Sequence, residues 1–281
     1  MRYTAFDKIN LFFRTYIQMF GNIIRPASWA PFLYLATLQL IGLILITWFS
    51  MPGWKSLIKP ILSLILPNQS FHFPQYLLVM PRVFADYDNY ILGPTAWIIF
   101  SAVAVYVIGG MYQGKRWRTS DGFSLAFRSY FKLLVIWLVE MLLVFAVFKI
   151  LSILLVEAVY GSPRRIMALK IGLQLAAFIP SAFLIYAIPS IIIGKRSLIT
   201  AFRESLSLCS HNFFMTYFII LLPAIIRLVF DILIKDFGPR IIFTMNPDII
   251  VVLMVLKIIA GIGINLLILG SATYIYRTLA D

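Results

Sequence analysis

Apolar residues in this chain come in runs of about 20, the length that crosses ~30 Å of hydrocarbon at 1.5 Å per residue. Six such runs lie at roughly 27–50, 91–113, 133–156, 171–193, 212–234 and 249–275. They predict an all-α polytopic membrane protein with six transmembrane helices, a single membrane domain over residues 1–281. A seventh apolar stretch, Ser56–Leu66, is shorter and carries Lys59 and Pro60, so it is expected at the surface or re-entering. The alternating ten-residue pattern of an outer-membrane barrel is absent.

Three shorter segments repeat with helical period and a basic polar face, each ahead of an odd-numbered span. In 5–20, Phe6, Ile9, Phe13, Tyr16, Ile17 and Phe20 share one face, and Asp7, Lys8, Asn10, Arg14 and Gln18 gather opposite. Segment 120–132 sets Phe123, Phe127 and Phe131 against Ser124, Arg128 and Lys132. Segment 197–208 sets Leu198, Phe202 and Leu206 against Arg203, Glu204 and Ser207. All three read as amphipathic interfacial helices. Ala5-Phe6-Asp7, Ala126-Phe127-Arg128 and Ala201-Phe202-Arg203 open them alike. The chain therefore reads as three repeated units, approximately 1–113, 117–193 and 194–281, each a surface helix followed by a transmembrane hairpin. The first is enlarged by an outer loop, 51–89, rich in aromatic residues and proline, either a cap over the bundle or a docking surface.

Composition agrees with a bilayer solvent: 62% of residues are apolar, 12% are charged and the mean hydropathy is +0.94. Cys209 is the only cysteine, so no internal disulfide can form. The net charge is +13. Thirteen cations sit on the side of the termini (Arg2, Lys8, Arg14, Arg25, Lys115, Arg116, Arg118, Arg128, Lys132, Lys195, Arg196, Arg203, Arg277) against eight in the opposite segments. The positive-inside rule then places both termini in the cytoplasm and the protein in the cytoplasmic (inner) membrane. The first 25 residues lack a compact apolar core and cleavage site, so a removed signal peptide is not expected. Dispersed span-end cations suit anionic lipid headgroups rather than nucleic acid.

The run from Ile185-Tyr186-Ala187-Ile188-Pro189-Ser190 through Ser197-Leu198-Ile199-Thr200-Ala201-Phe202-Arg203-Glu204-Ser205-Leu206-Ser207-Leu208, with the ending Ala272-Thr273-Tyr274-Ile275-Tyr276-Arg277, resembles a broad group of bacterial and archaeal six-span proteins. That group includes the membrane domain ahead of some glycerophosphodiester phosphodiesterases and the YciC-like inner-membrane proteins. The resemblance covers the layout of most of the chain and is specific over about 25 residues. It implies six helices and a cytoplasmic-membrane location, and no catalytic residues carry over. The carboxylate and His clusters of the hydrolase do not occur in this sequence.

Ionisable groups inside spans are costly, about 2.5–3.5 kcal/mol at a helix centre, and so mark sites or structural ties. Glu140 lies eight residues past Lys132 and Lys257 nine past Asp248, ~12 and ~13 Å deep from opposite surfaces. A Glu140–Lys257 ion pair joining spans three and six is expected, as an interhelical tie or as part of an ion path. Arg227 is expected to pair with Asp231 one turn on, and Lys149 to snorkel. Gln39 and Asn265 are expected to hydrogen-bond neighbouring helices. Pro180, Pro189 and Pro223 are expected to bend spans four and five, and Gly109, Gly110, Gly261, Gly263 and Gly270 offer close helix approach.

No cofactor or metal is expected: His72 and His211 lie in separate regions, and no Cys/His spacing suggests zinc. Ser205, Ser207, Cys209 and Ser210 near His211 lack an orienting carboxylate, and no phosphate loop or Gly-x-Ser-x-Gly elbow occurs. The sequence therefore points to a protein without enzymatic activity, an accessory or scaffold component organising lipids or a partner membrane complex. The alternative is a transporter or flippase-like carrier of an amphiphilic or lipid substrate, with a membrane enzyme acting on lipid as a third. Its expected partners are membrane lipids and other membrane subunits, not nucleic acid.

Overall fold

The structure, a computed structural model, describes residues 5–47, 76–114, 118–159 and 162–280. The short stretch Ser56–Leu66, the aromatic positions Trp54, Phe71 and Phe73, and His72 lie outside the described residues. Among those described, every regular element is helical. The order is α1 (Ala5–Ile23), α2 (Pro26–Thr47), α3 (Tyr76–Asp86), a π-helical segment (Tyr87–Trp97), α4 (Ile98–Tyr112), α5 (Thr119–Arg128) and α6 (Tyr130–Val159). Then follow α7 (Pro163–Leu184), α8 (Ala187–Ile192), α9 (Leu198–His211), α10 (Phe213–Lys235), α11 (Gly238–Thr244) and α12 (Ile249–Ala280).

Six helices are long and apolar enough to cross a membrane: Pro26–Thr47, Tyr76–Tyr112, Tyr130–Leu155, Arg164–Ile192, Phe213–Lys235 and Ile249–Leu279. They coincide with the six apolar runs. α1, α5 and α9 fall where the amphipathic segments were read, each directly ahead of a span. Local chemistry sets the ends. Pro26 and Pro163 open α2 and α7, where a missing N–H costs nothing. The Ser197 side chain accepts from the Thr200 amide and caps α9.

Residues 76–89, read as part of the outer loop, are helical, and the continuous helical stretch Tyr76–Tyr112 has 37 residues. At 1.5 Å per residue it is far longer than the ~30 Å hydrocarbon core. Pro81 and Pro94 do not interrupt it. Pro94 sits in the π-helical stretch, whose wider turn leaves room for a ring that lacks a backbone donor.

Of the three expected bends, one breaks its helix. The fourth span is interrupted at Ile185–Tyr186. Pro189 has no N–H for the Ile185 carbonyl, and its ring crowds that oxygen, so the break falls four residues ahead of it. α7 runs through Pro180 and α10 through Pro223 without interruption.

The chain divides into two compact units at points inside its helices. One comprises 1–32, 98–224 and 265–281, the other 33–97 and 225–264. Both take residues from more than one of the three sequence units. In the first, Leu11, Ala182, Tyr186, Cys209, Ile219, Ile275 and Tyr276 form the buried centre. Tyr186 is fully buried there with its hydroxyl 2.8 Å from that of Thr216. In the second, the α2 backbone is riveted to α3 and the π segment by tyrosines: Tyr76 donates to the Ile46 carbonyl at 2.5 Å and Tyr87 to the Leu38 carbonyl at 3.0 Å. The Tyr87 ring lies where a Gly42 side chain would be, so only glycine admits it. Gly42→Val is therefore expected to lower stability by about 1–3 kcal/mol through overpacking, read as a fall in thermal unfolding temperature in detergent.

Candidate functional site

Lipid tails are as apolar as leucine, so helices in a bilayer are joined by close packing and polar contacts rather than by burial of apolar surface. The polar side chains inside the spans therefore carry much of the information. In the second unit, four helical segments bring five of them together. Gln39 of α2 donates to Asp88 of the π segment at 2.7 Å. Arg227 of α10 reaches the other Asp88 oxygen at 4.0 Å. One turn along α10, Asp231 accepts from Lys257 of α12 at 2.6 Å. Two carboxylates, two cations and an amide thus balance one another.

This network corrects two expected pairings. Lys257 is held by Asp231 in its own unit, and Glu140 belongs to the other unit, where it accepts a 2.6 Å hydrogen bond from Ser181 of α7. Matching depth made Glu140 and Lys257 look like partners, but each has its hydrogen-bond partner within its own unit. Arg227 does not take Asp231 as its close ion partner, because the longer second helix carries Asp88 into its reach. Asn265 is half-buried in α12, and none of these bonds involves it. Since a neutral amide still accepts the Ser181 hydroxyl, Glu140→Gln is expected to change stability by less than about 1 kcal/mol, checked by thermal unfolding.

The first unit holds a second polar cluster, at the ends of spans four and six and outside the expected site residues. Glu204 of α9 accepts from Ser190 of α8 at 2.6 Å and from Tyr276 of α12 at 3.1 Å. Arg196 Nε approaches its other oxygen at 3.0 Å. The Gly194–Lys195–Arg196 turn makes this possible. Lys195 adopts a left-handed φ of 50°, and the Arg196 amide returns to the Ser190 carbonyl at 3.2 Å. Nearby, Ser205 donates to the Phe183 carbonyl at 2.7 Å, satisfying one of the acceptors left open where α7 ends. Segments far apart in sequence, around Ser190, Glu204 and Tyr276, thus meet at this cluster.

α1 is more than a two-faced helix. Leu11, Thr15, Met19 and Asn22 form a buried stripe. Phe6, Ile9, Phe13, Ile17 and Phe20 form an apolar stripe that is 77, 56, 60, 69 and 58% exposed. Asp7, Asn10, Arg14 and Gln18 make a polar stripe, also exposed. Contacts along its length hold the helix. Lys8 donates to the His211 carbonyl at 2.5 Å, so it leaves the polar face on which the sequence pattern put it. Tyr16 donates to the Ile219 carbonyl at 3.4 Å, the oxygen that Pro223 leaves without its helical donor. Burial pushes the Tyr16 phenol up to about 12. Met19 packs against Gly270, and Tyr112 donates to its sulfur at 2.7 Å.

Between α1 and the junction of α9 with α10 lies a cleft of about 720 Å³, lined by Ile9, Phe12, Phe13, Phe214, Phe218 and Leu222 among others, with Lys8, Ser210, His211 and Asn212 also on its wall. Cys209 is fully buried and its thiol is pushed up to about 11 by burial, while the His211 Nδ1 lies 2.8 Å from the Ser207 carbonyl. Among the described residues no group of three His, Cys, Asp or Glu side chains could hold a metal ion. Compared with protein-family models, with curated proteins and with solved structures, the chain matches none of them.

Proposed function

We propose that the protein is a non-enzymatic component of the cytoplasmic membrane, with both termini in the cytoplasm, that organises lipids around itself and a partner complex. The apolar stripe of α1 carries this reading. A helix buried along one side, apolar and exposed along a second and charged along a third is shaped to lie at the boundary between acyl chains and headgroups. α5 and α9 repeat the form: Phe127 is 62% exposed beside Arg128, and Ile199 and Leu206 are exposed on α9. Three such helices, each ahead of a span, support the reading of three repeated units. Anionic headgroups suit the cations gathered near them.

The carrier reading draws on the network of Asp88, Arg227, Asp231 and Lys257. Those groups neutralise each other within 4.0 Å, which favours a structural tie over a path that must exchange its charges with a solute. Native mass spectrometry of the mildly extracted protein separates the two readings. The accessory reading expects stoichiometric partner subunits together with retained lipid. A lone chain that moves a labelled lipid across vesicles, and stops doing so in Lys257→Met, would replace it with the carrier.

A further inference from the structure

We propose that the cleft between α1 and the α9–α10 junction binds one anionic phospholipid, with an acyl chain along its aromatic wall and the headgroup phosphate at the Lys8 ammonium. This rests on the lipid-organising reading and narrows it to one site and one headgroup class.

The volume, about 720 Å³, falls within the roughly 300–1,000 Å³ range of small-molecule sites. Its walls continue the lipid-facing surface. Ile9 and Phe13 belong to the exposed stripe of α1, and Phe214, Phe218 and Leu222 of α10 are exposed as well. An acyl chain enters sideways from the bilayer without crossing a polar layer. A peptide in the same place would bring backbone groups that the apolar wall cannot satisfy.

The polar residues select the headgroup. Lys8 gives one N–H to the His211 carbonyl, and an ammonium has three, so donors remain for a phosphate oxygen. Ser210, His211 and Asn212 also line the site, and no Asp or Glu does among the described residues. Asp7, next in sequence, lies on the exposed polar stripe. The cation of a zwitterionic headgroup would therefore meet Lys8 without a carboxylate to offset the repulsion. A phosphate whose headgroup carries no cation meets only attraction.

The test reconstitutes the full chain in nanodiscs of equal parts phosphatidylglycerol and phosphatidylcholine, extracts it mildly and measures the retained lipids by mass spectrometry. The wild type is expected to retain about one phosphatidylglycerol, preferred about fivefold over phosphatidylcholine, the scale of one lysine near an anionic lipid. Lys8→Met brings the preference to near parity, and Lys8→Arg keeps it. Ile9→Trp, a substitution at an exposed wall position, lowers the retained lipid by filling the cleft, and it supplies the test where Lys8→Met fails to fold. A Lys8→Met protein with wild-type preference overturns this site and leaves the broader reading standing. A wild type that emerges with no retained lipid overturns both.

Discussion

Lys257→Ala is expected to remove most of the folded protein, with a loss of about 3–5 kcal/mol in stability, and Asp231→Ala to do the same. Each side chain is about one-fifth exposed, 21% for Lys257 and 18% for Asp231, and they meet at 2.6 Å. Deleting one leaves the other as an uncompensated charge inside a transmembrane bundle, where an ionised group costs about 2.5–3.5 kcal/mol by insertion measurements alone. Removing both charges avoids that penalty, so Asp231→Leu combined with Lys257→Met is expected to recover most of the lost yield. Size-exclusion profiles and thermal unfolding of the three proteins in one detergent check the pattern. Silent single substitutions would mean that the pair is not buried as described.

Glu204→Ala is expected to be the next largest loss, about 2–4 kcal/mol, because it strips the acceptor from two hydroxyls at once. Ser190 is fully buried, and Tyr276 is nearly so. Glu204→Gln separates the contributions. Its amide oxygen still accepts from Ser190 and Tyr276, and only the attraction to Arg196 is lost. The Arg196 side chain is 54% exposed, so water and salt already weaken that contact to about 1 kcal/mol or less. Thermal unfolding of the two variants should therefore differ clearly, with Glu204→Gln near the wild type. Equal losses would put the weight on the ion pair with Arg196 instead.

What could be read in advance follows from physics. A span announces itself by length and apolar content, which need no tertiary information, and all six coincide with helices. The start of the second span did not, because residues 76–89 fell in a stretch read as an outer loop for its aromatic residues and proline. Their placement in a helix depends on Tyr76 and Tyr87 finding α2 carbonyls and on Gln39 finding Asp88. Depth along a helix is countable from sequence, whereas its rotation is not. That is why Gln39, Arg227, Asp231 and Lys257 stood out as polar positions while the contacts of Lys257 with Asp231 and of Glu140 with Ser181 did not. The helix interruption at Ile185–Tyr186 lies four residues ahead of Pro189, and the consequence of Pro223, a freed Ile219 carbonyl taken by Tyr16, needed the fold. Glu204 lay unmarked on the polar face of an amphipathic helix. Only the turn at Lys195 and the arrival of Tyr276 make it a junction.

The central claim, that α1 lies in the membrane boundary as a lipid-facing helix, is open to direct measurement. Cys209 is fully buried and its thiol is pushed up to about 11, so little reactive thiolate forms near neutral pH and labels go to introduced cysteines. Spin labels at Phe13→Cys and Gln18→Cys, both exposed positions, report collisions with oxygen in the acyl region and with a water-soluble nickel reagent. The account predicts oxygen-dominated collisions at position 13 and nickel-dominated collisions at position 18. Equal, water-like accessibility at both positions would contradict it.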